Sequence, residues 1–247
     1  MSGHSKWSTI KRKKGALDAK RGQIFTRVVK EIQLAVKEGG PDFESNPKLR
    51  IAIQNAKSAN MPKDNIERAI SKASNEGANI VEVTFEGYGN YGIAIFIECL
   101  TDNNLRTVSA VRSVFNKRGG TMGTNGSLSF LFERKGVFTI NKTGLIREDL
   151  ELELIDAGLD ELDEDDVNFI IYTKLEDFGS MQKKLDEMKI NIENAVLQRI
   201  PNDTKVIDVS SAKKILQHIE EFEDLDDVQN VYHNLEMTPE LEKALNE

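Results

Sequence analysis

The chain has 247 residues, of which 39% are hydrophobic and 30% charged, and its formal net charge is −8. This length and apolar content suffice for two or three modest domains with cores of their own. The sequence has no run approaching the roughly 18 apolar residues of a membrane span and no apolar core of a secretory signal, so we expect a cytoplasmic protein with no membrane partner. Its one cysteine, Cys99, lies in the apolar run IAIFIECL and is predicted to be a buried, reduced thiol.

Charge is unevenly distributed along the chain. Residues 1–72 contain 16 Lys and Arg against 7 Asp and Glu, whereas residues 73–247 contain 17 against 34. A basic front end favours a polyanionic partner, and an acidic remainder would repel that partner elsewhere and so orient its approach. Two solvated surfaces with no common partner would give the same charge distribution.

The first predicted element is a long amphipathic helix in RGQIFTRVVKEIQLAVKEGG. Its apolar residues, beginning with Ile24 and Val28, recur at helical spacing and predict a core-facing side. Basic residues fall on the opposite side, which predicts a basic stripe facing solvent. The stripe consists of Lys20, Arg27, Lys30 and Lys37.

Two shorter helices are predicted next. Asn46 is a suitable N-cap and Pro47 a suitable first residue for the second helix, because proline at that position has no N–H to leave unpaired. The third helix follows Pro62 and ends before NEGAN. Residues 1–76 are therefore predicted to be a small helical domain preceded by a basic arm.

From residue 80 the apolar period changes to that of strands. IVEVTFE and IAIFIECL flank the glycine-rich GYGNY, NNLRTVSAVRSVFNKRGG has helical spacing, and SLSFLFE is a further strand, which gives a β-β-α-β unit. The second unit consists of strand GVFTINK, helix IREDLELELIDAG, strand VNFIIYT, helix FGSMQKKLDEMK and strand IENAVLQRI. Helix SAKKILQHIEEFE and strand DVQNVYHN then remain.

This remaining helix and strand determine the predicted domain arrangement. They cannot bury their apolar faces alone, and the β-β-α-β unit lacks one helix and one strand to complete a two-layer sandwich. We therefore predict an α+β fold in which the second unit is inserted into the first. The predicted domains are residues 1–76, the basic arm and helical domain; residues 77–134 with 205–240, an α/β domain; and residues 135–204, an inserted α/β domain.

Sequence motifs indicate no catalytic site. GYGNYG has the glycine spacing of a dinucleotide loop, but a strand follows it instead of the helix that would meet the pyrophosphate, so a hairpin loop is predicted. GGTMGTNGS could offer backbone N–H groups to a phosphate, although a helix stop and turn is the simpler interpretation. The acidic runs DELDEDD and EEFEDLDD are predicted to be solvated turns, with a metal site as the alternative. We expect no enzyme activity, no cofactor and no bound metal.

The basic opening segment, GHSKWSTIKRKKGALDAKRG, is the strongest functional signal. Its cations suit phosphates, and Trp7 could stack on an unpaired base, a combination used for nucleic acids and for RNA in particular. Trp7 could equally anchor the arm to the helical domain. The predicted nucleic-acid-binding residues are Lys6, Trp7, Lys11, Arg12, Lys13, Lys14, Lys20, Arg21, Arg27 and Lys30.

Several long stretches carry a family resemblance: GHSKWSTIKRKKGALDAKRGQIFTRVVKEI, NPKLRIAIQNAKSANMPKDNIERAI, EGYGNYGIAIFIECLTDNNLRTVSAVRSVFNKRGGTMGTNGS and DVQNVYHN. In this order they resemble the YebC/PmpR family over nearly the whole chain. The resemblance implies three domains around a cleft, one helical and two α/β, with the third inserted in the second. It also puts the polyanion contact on the arm. The chain departs from the pattern at Asn90 and Tyr91, where many members are expected to have Pro-Gly.

The resemblance leaves three functions open. Family members are described as cytoplasmic DNA-binding transcriptional regulators, while a mitochondrial relative activates translation and bacterial members are linked to the ribosome. A ribosome-associated translation factor that contacts rRNA is therefore the alternative, and a protein-interaction module that uses the acidic cleft is the third. The sequence shows no helix-turn-helix recognition helix, and an arm with Trp7 favours irregular RNA slightly over duplex DNA. The expected partner is nucleic acid, either DNA or rRNA.

Overall fold

A computed structural model of the chain describes residues 17–77 and 79–246. These ranges contain eight α-helices and eight strands. The helices are α1 (Leu17–Gly39), α2 (Pro47–Ser58), α3 (Lys63–Glu76), α4 (Asn104–Lys117), α5 (Arg147–Ile155), α6 (Phe178–Glu187), α7 (Val209–Glu223) and α8 (Pro239–Asn246). The strands are β1 (Val81–Tyr88), β2 (Ala94–Thr101), β3 (Thr121–Met122), β4 (Phe132–Asn141), β5 (Leu159–Glu164), β6 (Asn168–Lys174), β7 (Ile192–Pro201) and β8 (Val228–His233).

Helices α1 to α3 form a bundle around their own apolar core, in which Ile32 and Leu49 are fully buried. Asn46 is the N-cap of α2, as predicted: its side chain accepts from the Leu49 amide at 3.0 Å. The same side chain donates to the carbonyl of Ala35 at 2.8 Å. A Cβ on Gly39 would lie 2.7 Å from the Asn46 amide, so glycine allows this close approach. Ile24, predicted to face the core, is 44% exposed.

The first sheet has the strand order β3-β1-β2-β8. β1 and β2 are antiparallel neighbours with Val81 opposite Thr101, and β8 pairs antiparallel with the other edge of β2. Helices α4 and α7 cover one face, where the rings of Phe115 and Phe222 lie 4.6 Å apart. Residues from beyond the second unit thus complete the first sheet, and the α+β fold class is confirmed.

SLSFLFE was expected to be the last strand of the β-β-α-β unit, and this prediction is wrong. The fourth position in the sheet is taken by the two-residue β3, and residues 125–131 form turns before β4 begins at Phe132. The buried carboxylate of Glu86 explains the difference, because it accepts from the amides of Gly126 at 2.8 Å and Leu128 at 2.5 Å. These amides are therefore not available to a strand ladder.

The inserted unit, Glu133–Ile200, has its own sheet with the order β5-β6-β4-β7. The sequence missed β5, because DELDEDD was expected to be a turn. In the structure Leu162 of this run is buried while Asp160, Glu161 and Glu164 are exposed, and β5 pairs with β6 only. An edge strand tolerates many charges, and they protect its free edge from other strands.

The first unit consists of the remaining residues on both sides of this insertion. Leu131 and Asn202, which flank the two crossing points of the chain, are joined by a backbone hydrogen bond of 2.8 Å. The helical bundle and the first sandwich both belong to the first unit. In the part of the chain that the structure describes, no helix is long and apolar enough to cross a membrane.

Candidate nucleic-acid interface

The structure describes few of the predicted nucleic-acid-binding residues. Arg21 is exposed on α1, and its guanidinium lies 5.4 Å from the centroid of the Phe25 ring. Lys20 lies in the first turns of α1. Six other predicted residues lie outside the described ranges: Lys6, Trp7, Lys11, Arg12, Lys13 and Lys14.

Arg27 does not face solvent, so the predicted basic stripe on α1 is wrong at this residue. Its guanidinium donates to the carbonyl of Glu223, at the C-terminal end of α7. Burial lowers the pKa of Arg27, although the neighbouring carboxylates oppose this shift. Gln23, one turn earlier on α1, donates to the carbonyl of Asp224 at 3.3 Å. These side chains satisfy carbonyls that a helix leaves unpaired at its C-terminus, where the helix dipole also favours a cation.

Lys30 is likewise turned toward the sandwich and not toward solvent. Its ammonium donates to the carbonyl of Asp226 at 2.8 Å and to the carboxylate of Asp227 at 2.7 Å, and its side chain is 14% exposed. The periodicity placed Val28 and Ile32 in the core, although Ile24 of the same predicted side is exposed. It could not show that α7 and β8 cover the basic side at these positions.

Asp227 is the centre of a polar cluster that we call the Asp227 cluster: Lys30, Arg106, Thr107 and Asp227. Arg106 donates to its carboxylate at 2.9 Å and Thr107 at 2.8 Å. Burial opposes ionisation of Asp227, but the hydrogen bonds from Lys30, Thr107 and Arg106 outweigh it and hold the pKa of this carboxyl below its usual range. The cluster therefore links α1 to α4 and to the start of β8 through one ionised carboxylate.

A groove of about 820 Å³ lies next to this cluster, between the helical bundle and the first sandwich. Its apolar lining includes Phe25, Val29 and Met61. Charged side chains complete the wall, with one more cation than anion. They are Lys30, Arg68, Lys72 and Arg106 on the basic side and Asp102, Asp226 and Asp227 on the acidic side.

Arg68 and Lys72 are cations that the sequence prediction missed. Both are exposed and line the groove one helical turn apart on α3. Arg68 forms no ion pair within the described residues, whereas Arg106 is already bonded to Asp227 and Asp102. The signal was present in the sequence as two basic residues at i and i+4, adjacent to the apolar stripe of α3.

Neither glycine-rich segment forms a phosphate loop. The amide of Gly126 in GGTMGTNGS and the amide of Leu128, just after this segment, donate to the Glu86 carboxylate, so neither is free for an external anion. GYGNYG connects antiparallel β1 and β2, as predicted for a hairpin. Within the described residues, no group of three His, Cys, Asp or Glu side chains could hold a metal ion.

Comparison with known proteins accounts for nearly the whole chain. Residues 5–76 match the TACO1/YebC protein N-terminal domain, and residues 80–235 match the TACO1/YebC second and third domain. The chain belongs to the TACO1/YebC family. The first match covers the arm and the helical bundle, and the second covers the two sandwiches.

Relatives within the TACO1/YebC family are similar over their full length. A protein of Amoebophilus asiaticus is 49% identical over 95% of this chain and 98% of its own, and one of Chlorobaculum parvum is 46% identical over 100% of both. Each is named a probable transcriptional regulatory protein. The crystal structure of a conserved hypothetical protein from Aquifex aeolicus is 40% identical with a TM-score of 0.81, and covers 90% of this chain and 93% of its own.

Proposed function

We propose that this protein is a non-enzymatic, nucleic-acid-binding regulator of gene expression, acting as a DNA-binding transcriptional regulator. The observation that carries the proposal is the concentration of positive charge before residue 73, where 16 Lys and Arg stand against 7 Asp and Glu in a chain of net charge −8. Cations release counterions from a phosphate backbone when they bind it. The names of the relatives support regulation of transcription.

The proposed binding surface combines the arm with the groove beside α3. Arg21 extends the arm's positive charge onto α1, and Arg68 and Lys72 add two exposed cations along the groove. Arg27 and Lys30 are left out of this surface because their donors already bind the α7–β8 segment. The phosphate contacts then come from Lys6, Lys11, Arg12, Lys13, Lys14, Lys20, Arg21, Arg68 and Lys72.

The size of the groove favours a second candidate, a ribosome-associated translation factor that contacts rRNA. The groove of the protein, at about 820 Å³, has the volume of a small-ligand site. Duplex DNA is read in the opposite way, by a protein helix that enters the major groove of the DNA, which is roughly 12 Å wide. Single-stranded RNA, with bases splayed out of the stack, can place individual nucleotides in such a groove. The apolar wall at Phe25 and Met61 suits a base, and Arg68 suits its phosphate.

The test measures binding of the full chain to duplex DNA and to single-stranded RNA by fluorescence anisotropy over a salt series. Each lost phosphate contact lowers the slope of log affinity against log salt by about 0.9 on a duplex and about 0.7 on a single strand. Replacing Lys11, Arg12, Lys13 and Lys14 by Ala should remove about 3 to 4 units of slope on duplex DNA. Unchanged slopes in this variant would exclude the arm from the site.

The groove is tested by the double variant R68A/K72A, which should lose about 1.4 units of slope on single strands. Its matched control is K213A/K214A, which removes two exposed lysines about 14 Å along α7 from Glu223 and should leave binding unchanged. A loss confined to RNA favours the translation factor. An equal loss on both ligands favours the DNA-binding regulator, and an equal loss in the control would show that only net charge matters.

Trp7→Ala separates stacking from anchoring. Stacking on an unpaired base contributes about 1 to 3 kcal/mol and depends little on salt. A loss of affinity confined to RNA, with the melting temperature unchanged, would assign Trp7 to the ligand. A lowered melting temperature with equal losses on both ligands would assign it to the fold.

A further inference from the structure

The hairpin between β1 and β2 ends in an exposed turn that the proposed binding surface does not use. We call residues Tyr88 to Gly92 the tyrosine turn. Tyr88 is 43% and Tyr91 45% exposed, so two aromatic rings reach solvent three residues apart. The turn lies about 26 Å along β1 from Ile80, which lines the groove. It is therefore a separate surface of the first unit.

The backbone of Tyr91 is held in a left-handed conformation, with φ 61° and ψ 13°. This region suits glycine or asparagine and is unfavourable for a bulky side chain. The surrounding contacts impose it: the Asn90 side chain donates to the Arg118 carbonyl at 2.7 Å, and the Gly89 amide donates to the Ile93 carbonyl at 2.8 Å. Tyr91 thus occupies a strained position while remaining 45% exposed. Strain of this kind concentrates at functional sites.

A free cation lies against the same turn. The ammonium of Lys205 would be 2.9 Å from a Cβ placed on Gly92. Its backbone is fixed on both sides, because the Lys205 amide donates to the Asn234 carbonyl at 2.7 Å and its carbonyl accepts from the Glu236 amide at 3.0 Å. Within the described residues Lys205 forms no ion pair. The fold therefore presents one unneutralised cation beside two exposed aromatic rings.

We infer that the tyrosine turn is a second contact for single-stranded nucleic acid, in which Tyr91, with Tyr88, stacks on unpaired bases and Lys205 binds a phosphate. This inference rests on the second candidate of the proposed function, a factor that contacts single-stranded RNA, and extends it to a surface outside the groove. Aromatic stacking with an adjacent cation is the combination that binds single strands with little sequence preference. A duplex keeps its bases stacked on one another and offers no free base face to the turn.

The experiment measures binding of the full chain to oligo(U) and oligo(dT) of twelve nucleotides and to a duplex of the same length. Tyr91→Phe keeps the ring and should bind single strands within twofold of the wild type. Tyr91→Gly removes the ring and relieves the backbone, so Kd for single strands should rise by about fivefold or more while the melting temperature stays equal or rises. Lys205→Ala should lower the single-strand salt slope by about 0.7, and Lys205→Arg should restore it.

The outcomes separate this inference from the proposed function. If Tyr91→Gly binds single strands like the wild type and Lys205→Ala keeps the full salt slope, while R68A/K72A loses affinity, the tyrosine turn is not a contact and the proposed function stands. Equal losses on duplex and single strands in Tyr91→Gly would also overturn the inference, because stacking requires an unpaired base. Displacement of the oligonucleotide by an equal concentration of an oligoglutamate peptide would show a general anion site instead. Absence of any binding by the wild type would overturn both proposals.

Discussion

Replacing Asp227 by Asn should destabilise the first unit strongly. The carboxylate accepts from Lys30, Arg106 and Thr107, and its side chain is 10% exposed while that of Lys30 is 14% exposed. An asparagine carries no charge and presents an amide donor to a ring of donors. Removing one partner of a buried ion pair costs about 3 to 5 kcal/mol because the other charge stays buried. Arg106 is half exposed, so solvent screens its ion pair with Asp227 and it contributes less than Lys30 does.

Urea denaturation of the full chain, followed by far-UV circular dichroism, measures this cost. The matched control is Asp102→Asn, which removes a carboxylate from the same arginine at a position that is 59% exposed and should cost less than about 1 kcal/mol. A double-mutant cycle of Asp227→Asn with Lys30→Met isolates the pair energy. If Asp227→Asn costs no more than Asp102→Asn, the cluster does not hold the bundle to the sandwich.

The stability difference between the wild type and Asp227→Asn should depend on pH in one direction. Because the folded state lowers the pKa of Asp227, its ionised form stabilises the fold at every pH above the unfolded value of about 3.9. This contribution is lost as the pH falls through the lower folded pKa. The difference between wild type and Asp227→Asn should therefore be constant from about pH 5 to 8 and shrink below about pH 4. A difference that grows on acidification would refute the assignment.

Three further predictions concern other parts of the fold. Glu86→Gln should cost about 1 to 3 kcal/mol in urea denaturation, because an amide cannot accept from the Gly126 and Leu128 amides as a carboxylate does. Burial raises the pKa of Cys99 to about 12, so iodoacetamide at pH 8 should label this thiol only after unfolding, and rapid labelling of the native protein would contradict the prediction. Cys99→Ala should keep the nucleic-acid affinity of the wild type. Replacing residues 133–200 by a short Gly-Ser linker should leave a cooperatively unfolding first unit, since a hydrogen bond already joins the flanking segments; a spectrum of an unfolded chain would contradict it.

Much of the fold could be predicted from the spacing of the apolar residues and from the fact that a lone helix and strand cannot bury their apolar faces. DVQNVYHN was predicted to join the first sheet because it could not bury itself beside the second unit, and β8 does pair with β2. Local rules failed where a contact from far along the chain took over the backbone. The Leu128 amide of SLSFLFE and the preceding Gly126 amide donate to Glu86, about 40 residues earlier, and the spacing of apolar residues does not record such a contact.

The site was less predictable because charge patterns do not record partners. Arg27 and Lys30 have the helical phase of a solvent-facing stripe, yet they bind the segment from the end of α7 to the start of β8, nearly 200 residues away in sequence. Asp227 belongs to EEFEDLDD, a run expected to be solvated, and its burial depends on donors from α1 and α4. Sequence alone identifies a basic residue; only the fold shows whether that charge is already neutralised.

The insertion determines which of the two sheets can be completed first during synthesis. β2 ends at Thr101 and β8 begins at Val228, so at about 5 to 20 residues per second a ribosome needs about 6 to 25 s to supply the missing neighbour. Until then the edge of β2 offers unpaired backbone groups to other strands, whereas Glu133–Ile200 is contiguous and is complete earlier. A nascent chain therefore contains the complete inserted unit while the first sheet still lacks β8. The free edge of β2 is most exposed to aggregation in this interval of translation.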